Sequence, residues 1–115
     1  MKISIIIPTY KPGEYIYECL QSIAAQSLAR NLYEVIIVLN GCCEPWLSLL
    51  KEFVDREMKD VNVHLIHSSL GGVSNARNLA MGRAKGNYIT FIDDDDFISP
   101  RYLEALLEKA SLQTV

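Results

Sequence analysis

The sequence predicts an α/β fold in which a mostly parallel sheet alternates with helices. Two observations support this prediction. Four short apolar segments rich in β-branched residues alternate with four segments whose apolar residues recur at helical spacing. The strand segments are apolar on both faces, which is typical of a parallel sheet covered by helices on both sides. Half of the 115 residues are apolar and 22% are charged, which excludes a disordered chain, and the length fits one domain, residues 1–115.

Each predicted strand ends at a turn signal or at a run of acids. Pro8 ends the first strand, Asn40-Gly41 closes the second, and Gly71-Gly72 follows the third. The fourth strand runs directly into four aspartates. The predicted strands are Lys2–Pro8, Glu34–Leu39, Val61–His67 and Tyr88–Ile92.

The segments between the strands carry the apolar stripe of amphipathic helices. The first, Glu14–Gln26, faces inward with Ile16, Cys19, Leu20, Ile23 and Ala24. The second starts at Pro45, which suits a first helical position, and ends near Met58. Its inward residues are Trp46, Leu49, Leu50, Phe53 and Val54. The third starts at Val73 or Ser74 and ends at Ala84, and the last opens at Pro100. The last helix faces inward with Leu103, Leu106, Leu107 and Ala110.

Right-handed crossovers place the carboxyl ends of all parallel strands along one edge of the sheet. Ligands of such sheets bind at that edge. The segments that deserve inspection are therefore those that follow the strands: Pro8–Gly13, Leu39–Cys43, Ser68–Ser74 and Asp93–Asp96.

The acidic run Asp93-Asp94-Asp95-Asp96 points to a divalent cation. Two like charges about 4 Å apart repel by about 4 kcal/mol at an effective dielectric near 20, so the run needs a compensating charge. Mg²⁺ and Mn²⁺ prefer carboxylate oxygens and take further ligands from water and phosphate. The alternative is a solvated turn that caps the next helix, because acids are favoured near a helix N-terminus.

The other three loops carry side chains suited to a nucleotide. Tyr10 can stack on a base, and Thr9 can hydrogen-bond to a base or ribose. The Asn40 amide can donate to and accept from a base edge. Exposed amides after Gly71-Gly72 can bind phosphate, and Arg77 can offset its charge. For each segment an ordinary turn with a half-buried or surface side chain is the structural alternative.

Charge and cysteine content narrow the class of protein. The net charge of −3 and pI near 5.3 argue against a nucleic-acid partner. There is no apolar run of about 18 residues and no signal peptide pattern. The three cysteines show no spacing typical of a disulfide framework, which favours a reducing cytoplasm. We do not expect a zinc site at Cys42-Cys43 or at His64 and His67. We expect a cytoplasmic protein. A longer protein that contains this chain can also lie at the inner face of the membrane.

Four stretches of the sequence, taken in order, resemble motifs of the family 2 glycosyltransferases with the GT-A fold. One such stretch alone is weak, but four in register over nearly the whole chain are specific. The stretches are Ser4-Ile5-Ile6-Ile7-Pro8-Thr9-Tyr10, Glu34-Val35-Ile36-Ile37-Val38 with Asn40-Gly41, Gly72-Val73-Ser74-Asn75-Ala76-Arg77-Asn78, and Gly86-Asn87-Tyr88-Ile89-Thr90-Phe91-Ile92-Asp93-Asp94-Asp95-Asp96 with Pro100.

The resemblance implies the Rossmann-like, nucleotide-sugar-binding N-terminal half of a GT-A domain. It also implies Mn²⁺ or Mg²⁺ and a nucleotide-sugar donor, with a UDP-sugar favoured. By the family pattern Pro8, Thr9 and Tyr10 hold the base, and Ala76-Arg77-Asn78 lines the donor side. Asn40 stands at a position where the family carries an acid and can still accept from a uracil N–H. The implied acceptor is a saccharide or a lipid-linked molecule.

The Asp-x-Asp motif of the family falls on Asp93-Asp94-Asp95. This match makes Asp95 the main metal ligand. It directs Asp93 or Asp94 to the ribose or donor sugar, with Asp93 also a candidate metal ligand. Asp96 extends the motif.

Two features depart from the family pattern. Leu39-Asn40-Gly41-Cys42 stands where the family usually carries Asp-Asp-Gly-Ser, so both acids are absent. The half of the family domain that supplies the acceptor site and the general base has no counterpart here. We therefore expect the chain to bind donor with little or no sugar transfer, which in the whole enzyme would be inverting. We also expect an exposed apolar edge and self-association.

Other metal-using α/β classes fit less well. A nucleotidyltransferase would carry a glycine-rich basic loop after the first strand. A phosphotransfer receiver would carry acids where Pro8-Thr9 and His67-Ser68 stand. A non-catalytic nucleotide-binding or interaction module remains the alternative to a transferase.

Overall fold

The computed structural model describes residues 1–113, in which four strands alternate with four α-helices, and a short 3-10 helix (Arg30–Leu32) precedes the second strand. Every predicted element is present, with boundaries shifted by one to a few residues. The predicted domain also includes residues 114 and 115, which lie outside the described residues. The elements are β1 (Ile3–Thr9), α1 (Tyr15–Ala24), β2 (Tyr33–Asn40), α2 (Trp46–Glu57), β3 (Asn62–Ser68), α3 (Val73–Arg83), β4 (Tyr88–Phe91) and α4 (Tyr102–Gln113).

The four strands form one parallel sheet in the order β3-β2-β1-β4. Ile6 of β1 lies in register between Ile36 of β2 and Phe91 of β4. The chain moves outward from β1 to β3 and then crosses back to the far side of β1. This topology confirms the predicted parallel α/β fold and brings the carboxyl ends of all four strands to one edge.

The two faces of the sheet are covered unequally. Ile3, Ile5 and Ile7 point to the face on which α1, α2 and α4 pack in one large cluster. Ile6 points to the opposite face and packs with Ala76 of α3, whose small side chain lets the helix approach the sheet. Each fully buried isoleucine stabilises the fold by roughly 1.5–3 kcal/mol.

The expectation that the fourth strand is buried is wrong, and the third strand, in which apolar and polar residues alternate, is only partly buried. β3 is mostly of intermediate exposure, and β4 is largely exposed, with Tyr88, Ile89 and Phe91 accessible to 38%, 39% and 42%. The reason lies in the sheet order: α3 packs mainly on β1 and β2, and β4 pairs within the described residues with β1 alone. The acidic run thus follows an exposed edge strand.

The helices keep their predicted inward faces with one exception. Leu49 of α2 is 46% exposed, whereas Leu47 packs against the core. Leu47, Leu50, Phe53 and Val54 lie on the inner face of α2. With the helix rotated in this way, Leu49 points to solvent. Within residues 1–113, no helix combines the length and apolar character that a membrane crossing requires.

Among the residues whose burial is described, one carboxylate, that of Glu34 in β2, is fully buried, and it lies on the α3 side of the sheet. It accepts hydrogen bonds from Ser4 Oγ at 2.6 Å and the Lys85 amide at 2.7 Å. His64 Nε2 lies 3.3 Å from Oε1, which accepts no well-oriented hydrogen bond from the described residues. Burial favours the neutral acid, but the hydrogen bonds and the charges of His64 and Lys85 outweigh it. The pKa of Glu34 therefore lies below its usual value.

Candidate functional site

A cavity of about 680 Å³ opens at the carboxyl-end edge of the sheet. The segments after all four strands contribute to its wall. Every residue that the sequence singled out for the donor or the metal lies in this wall. The lining residues are Pro8, Thr9, Tyr10, Tyr15, Asn40, Gly71, Gly72, Val73, Arg77, Asp93, Asp94 and Asp95.

The loop after β1 presents an aromatic side chain at the cavity. Tyr10 is 58% exposed, so its ring is accessible to a planar ligand. The next residue, Lys11, has a φ of 43°, and its amide donates to Cys42 Sγ at 3.3 Å. The Lys11 ammonium lies 5.3 Å from the centre of the Tyr10 ring and 6.0 Å from that of Trp46. These contacts hold the loop and keep Tyr10 at the cavity.

The four aspartates divide into two groups. Asp93, Asp95 and Asp96 are exposed, and one carboxylate oxygen from each lies within 4.8 Å of the others. Asp94 turns away and accepts a hydrogen bond of 2.6 Å from the buried Thr9 Oγ1. Desolvation raises the pKa of Asp94, the Thr9 hydrogen bond opposes this effect, and the charges of Asp95 and Asp93 add to it. The net result is a raised pKa.

The exposed group has the chemistry of a hard-cation site. Three carboxylates supply oxygen donors of the kind that Mg²⁺ and Mn²⁺ prefer, and one side of the group faces the cavity through Asp93 and Asp95. The helix-cap alternative for these acids does not fit the geometry, because α4 begins only at Tyr102 and its first-turn acid is Glu104.

The thiol of Cys19 in α1 supports the acidic loop from below. Its Sγ donates to the Asp93 carbonyl at 3.6 Å. Burial, and then the neighbouring aspartate charges with Asp94 first, raise the pKa of Cys19 to about 12. The thiol thus stays protonated and keeps its role as a donor.

The turn between β3 and α3 also lines the cavity. Gly72 has a φ of 102° and immediately precedes α3, whose first residue, Val73, also lines the cavity. The Asn40 amide, which the sequence offered as a base reader, donates to the Gly72 carbonyl at 2.6 Å and accepts from Asn75 at 3.3 Å. One turn into the helix, the Arg77 guanidinium lies 4.9 Å from the centre of the Phe91 ring. Arg77 therefore bridges α3 and β4 at the cavity wall.

Sequence reasoning missed three features of the site. Tyr15 lines the cavity from the first turn of α1, and Asp96, which the sequence offered only as an extension of the motif, lies with Asp93 and Asp95 in the exposed carboxylate group. Asn75 bonds to the end of β2. An aromatic residue just after a ligand-edge loop was a signal for Tyr15. Nothing in the sequence pairs Thr9 with Asp94 or Asn40 with Asn75, because these contacts join residues distant along the chain.

Comparison with known proteins identifies one family and many relatives. The model of glycosyl transferase family 2 matches residues 4–113. The uncharacterized glycosyltransferase EpsJ of Bacillus subtilis (strain 168) is 34% identical over 108 residues, covering 94% of this chain and 30% of EpsJ. The poly(ribitol-phosphate) beta-N-acetylglucosaminyltransferase TarS of Staphylococcus aureus (strain Mu50 / ATCC 700699) is 32% identical over 104 residues, covering 90% of this chain and 18% of TarS.

Solved structures share the architecture of this chain. The crystal structure of S. aureus TarS 1-349 in complex with UDP superposes with a TM-score of 0.86 at 28% identity, covering 97% of this chain and 32% of that one. The mannosyltransferase PcManGT of Pyrobaculum calidifontis, in complex with GDP-Man and Mn²⁺, gives 0.78 at 25% identity, covering 84% and 28%. The expected GT-A, Rossmann-like fold is confirmed. The chain spans about a third or less of the length of these proteins.

Proposed function

We propose, because this chain belongs to glycosyl transferase family 2, that it binds the nucleotide-sugar donor of a sugar transfer to an acceptor hydroxyl. One observation carries the proposal. A single cavity gathers an accessible aromatic ring, an arginine, the amide end of a helix and a group of carboxylates. A nucleoside diphosphate sugar has the complementary parts: a planar base, a charged diphosphate and a hydroxyl-rich ring.

Different residues of the cavity bind different parts of the donor. Tyr10 stacks on the base, with Pro8 and Thr9 forming the wall beside it. The amide end of α3 and Arg77 face the diphosphate, because amide dipoles and a guanidinium both favour phosphate oxygens. A UDP-sugar is the favoured donor, in keeping with the TarS structures in complex with UDP and UDP-GlcNAc.

The metal site of this proposal is the exposed carboxylate group. Asp95 and Asp93 would hold Mn²⁺ or Mg²⁺, with Asp96 completing the set, since their oxygens lie close enough for one ion to contact all three. When bound, the ion offsets the charge that develops on the departing diphosphate. Asp94 supports this loop through Thr9 rather than contacting the ion.

The transfer itself would follow an inverting course in the whole enzyme. An acceptor hydroxyl, on a saccharide or a lipid-linked molecule, attacks the anomeric carbon and the nucleoside diphosphate leaves. Binding energy from the base and diphosphate orients the reacting end of the donor. This chain supplies the donor side of the reaction, and a general base for the acceptor proton is assigned to none of its residues.

Calorimetry on the purified chain with UDP, GDP and dTDP, with and without Mn²⁺, tests the proposal. We expect Mn²⁺-dependent binding of a nucleotide that is lost in Asp95→Asn and kept in Asp55→Asn, which removes the same charge from an exposed position of α2. If the nucleotide affinity is the same without Mn²⁺ and in Asp95→Asn, the chain is instead a non-catalytic binding module. Sugar transfer by the purified chain would contradict the donor-only role.

A further inference from the structure

Two asparagines form a hydrogen-bonded link across the carboxyl-end edge of the sheet. Asn40, only 6% exposed at the end of β2, donates through Nδ2 to the Gly72 carbonyl at 2.6 Å. Its Oδ1 accepts from Asn75 Nδ2 at 3.3 Å. The same Asn75 Nδ2 lies 3.2 Å from Ser68 Oγ and 3.1 Å from the Leu70 carbonyl, so its two hydrogens are shared among three acceptors. Both ends of the Asn40 amide are thus engaged inside the protein.

These bonds attach the turn formed by residues 69–72, the glycine loop, to the end of β2. Gly72 has a φ of 102°, a conformation that other residues adopt only with strain. Its carbonyl also accepts from the Ala76 amide at 3.2 Å, so one oxygen joins the loop, α3 and Asn40. Gly41 fits closely beneath, since a Cβ placed there would lie 3.3 Å from the Gly71 Cα.

We propose that Asn40 and Asn75 are positioning residues that hold the glycine loop in the shape required for nucleotide binding. The proposal rests on the proposed function and assigns Asn40 a different role from reading the base. Gly71 and Gly72 form part of the cavity wall, whereas Asn75 does not reach it. Asn75 can therefore affect a nucleotide only indirectly, through the loop that it holds and through Asn40, to which it donates.

This role has a distinct thermodynamic signature. When a loop leaves its binding-competent shape, the apparent affinity falls by the fraction of competent molecules, whatever the ligand. Removing the link should therefore lower the affinities for UDP, GDP and dTDP by the same factor. Removing a base reader would instead change the affinity of one base relative to the others, because the lost contact belongs to that base.

The test combines hydrogen exchange of the nucleotide-free chain with calorimetry in Mn²⁺. In Asn75→Ala we expect amides in residues 70–76 to exchange several-fold faster while those of β1 keep their protection. Affinities should fall by roughly 5- to 20-fold, as the loss of one or two net hydrogen bonds predicts, with unchanged ratios between bases. Asn62→Ala, at the exposed start of β3, is the matched control and should match wild type in both measurements.

Asn40→Ala should behave like Asn75→Ala, and the double variant should be little weaker than Asn40→Ala, because both substitutions break one link. Ser68→Ala removes the hydroxyl that Asn75 and the Leu70 amide both donate to, so it should act in the same direction and serves where Asn40→Ala fails to fold. A shift in the ratio of UDP to GDP affinity in Asn40→Ala, with unchanged loop exchange, would make Asn40 a base reader and overturn the proposal.

Two further outcomes separate this inference from the proposed function. Faster loop exchange in Asn75→Ala with wild-type nucleotide affinity would overturn the positioning role alone. A wild-type chain that binds none of the nucleotides would contradict the proposed function. In that case unchanged exchange in Asn75→Ala would also overturn the attachment of the loop, and faster exchange would support it.

Discussion

At the scale of single residues, the four consecutive aspartates 93–96 differ in their contacts although they are chemically identical. Asp93, Asp95 and Asp96 gather in solvent, and Asp94 bonds to Thr9 at the end of β1. Desolvation raises the pKa of Asp94, and the charges of Asp95 and Asp93 add to the rise, whereas the hydrogen bond from Thr9 opposes it. Identity of residue type therefore does not imply identity of role.

Thr9→Val should destabilise the chain, because it removes the hydrogen bond to Asp94 and leaves a partly buried carboxyl without its donor. We expect a loss of about 1 kcal/mol in the free energy of unfolding. Thermal unfolding followed by circular dichroism measures it. Thr90→Val, the same isosteric change in β4, is the control and should stay within about 0.5 kcal/mol of wild type. Equal stability of the two variants would refute a net contribution from the Thr9–Asp94 bond.

Tyr10→Ala should weaken nucleotide binding by about 1–3 kcal/mol, the range found when a base loses an aromatic stacking partner. Tyr10→Phe keeps the ring and should bind within a few-fold of wild type. Titration calorimetry in Mn²⁺ compares the three proteins. If Tyr10→Ala binds as tightly as Tyr10→Phe, the ring does not stack on the base.

At the scale of elements, apolar periodicity was sufficient to predict the order of strands and helices and the parallel sheet. It also predicted the edge at which the candidate residues meet, because topology alone brings Tyr10, Arg77 and Asp95 together. Periodicity could not predict that Leu49 faces solvent, since a shift of one helical position changes the face. Nor could it predict the exposure of β4, which depends on where α3 packs.

The burial of Glu34 within β2 leads to a prediction about acid stability. Its pKa is below the usual value in the folded chain, so the folded state favours the ionised form. The resulting stability is fully present above the unfolded pKa of about 4.3 and is lost as the pH falls through the lower folded value. Urea unfolding of Glu34→Gln should show a shallower fall in stability across that acidic range than wild type. Parallel curves would contradict a depressed pKa.

At the scale of the whole molecule, the chain spans about a third or less of the length of the family members compared with it, and β4 is an exposed edge strand of the described sheet. β4 exposes Tyr88, Ile89 and Phe91 beside a groove of about 230 Å³ that Leu106 and Leu107 of α4 help to line. An exposed apolar edge strand favours pairing with another strand.

We expect the isolated chain to self-associate as its concentration rises, through the exposed β4 edge. Ile89→Lys should shift the light-scattering mass towards the monomer, because a charge on an edge strand opposes pairing. Leu79→Lys adds the same charge to an exposed position of α3 and should leave the association unchanged. A monomer of 13.0 kDa at every concentration would refute this expectation.

The central claim is that the exposed aspartates hold a cation that engages the diphosphate of a sugar donor. Anomalous diffraction from crystals grown with Mn²⁺ and UDP tests it most directly. The account predicts a manganese peak among the carboxylates of Asp93, Asp95 and Asp96, with the diphosphate beside it and the base at Tyr10. A cavity without manganese or nucleotide at saturating concentrations, or a nucleotide bound elsewhere, would contradict the account.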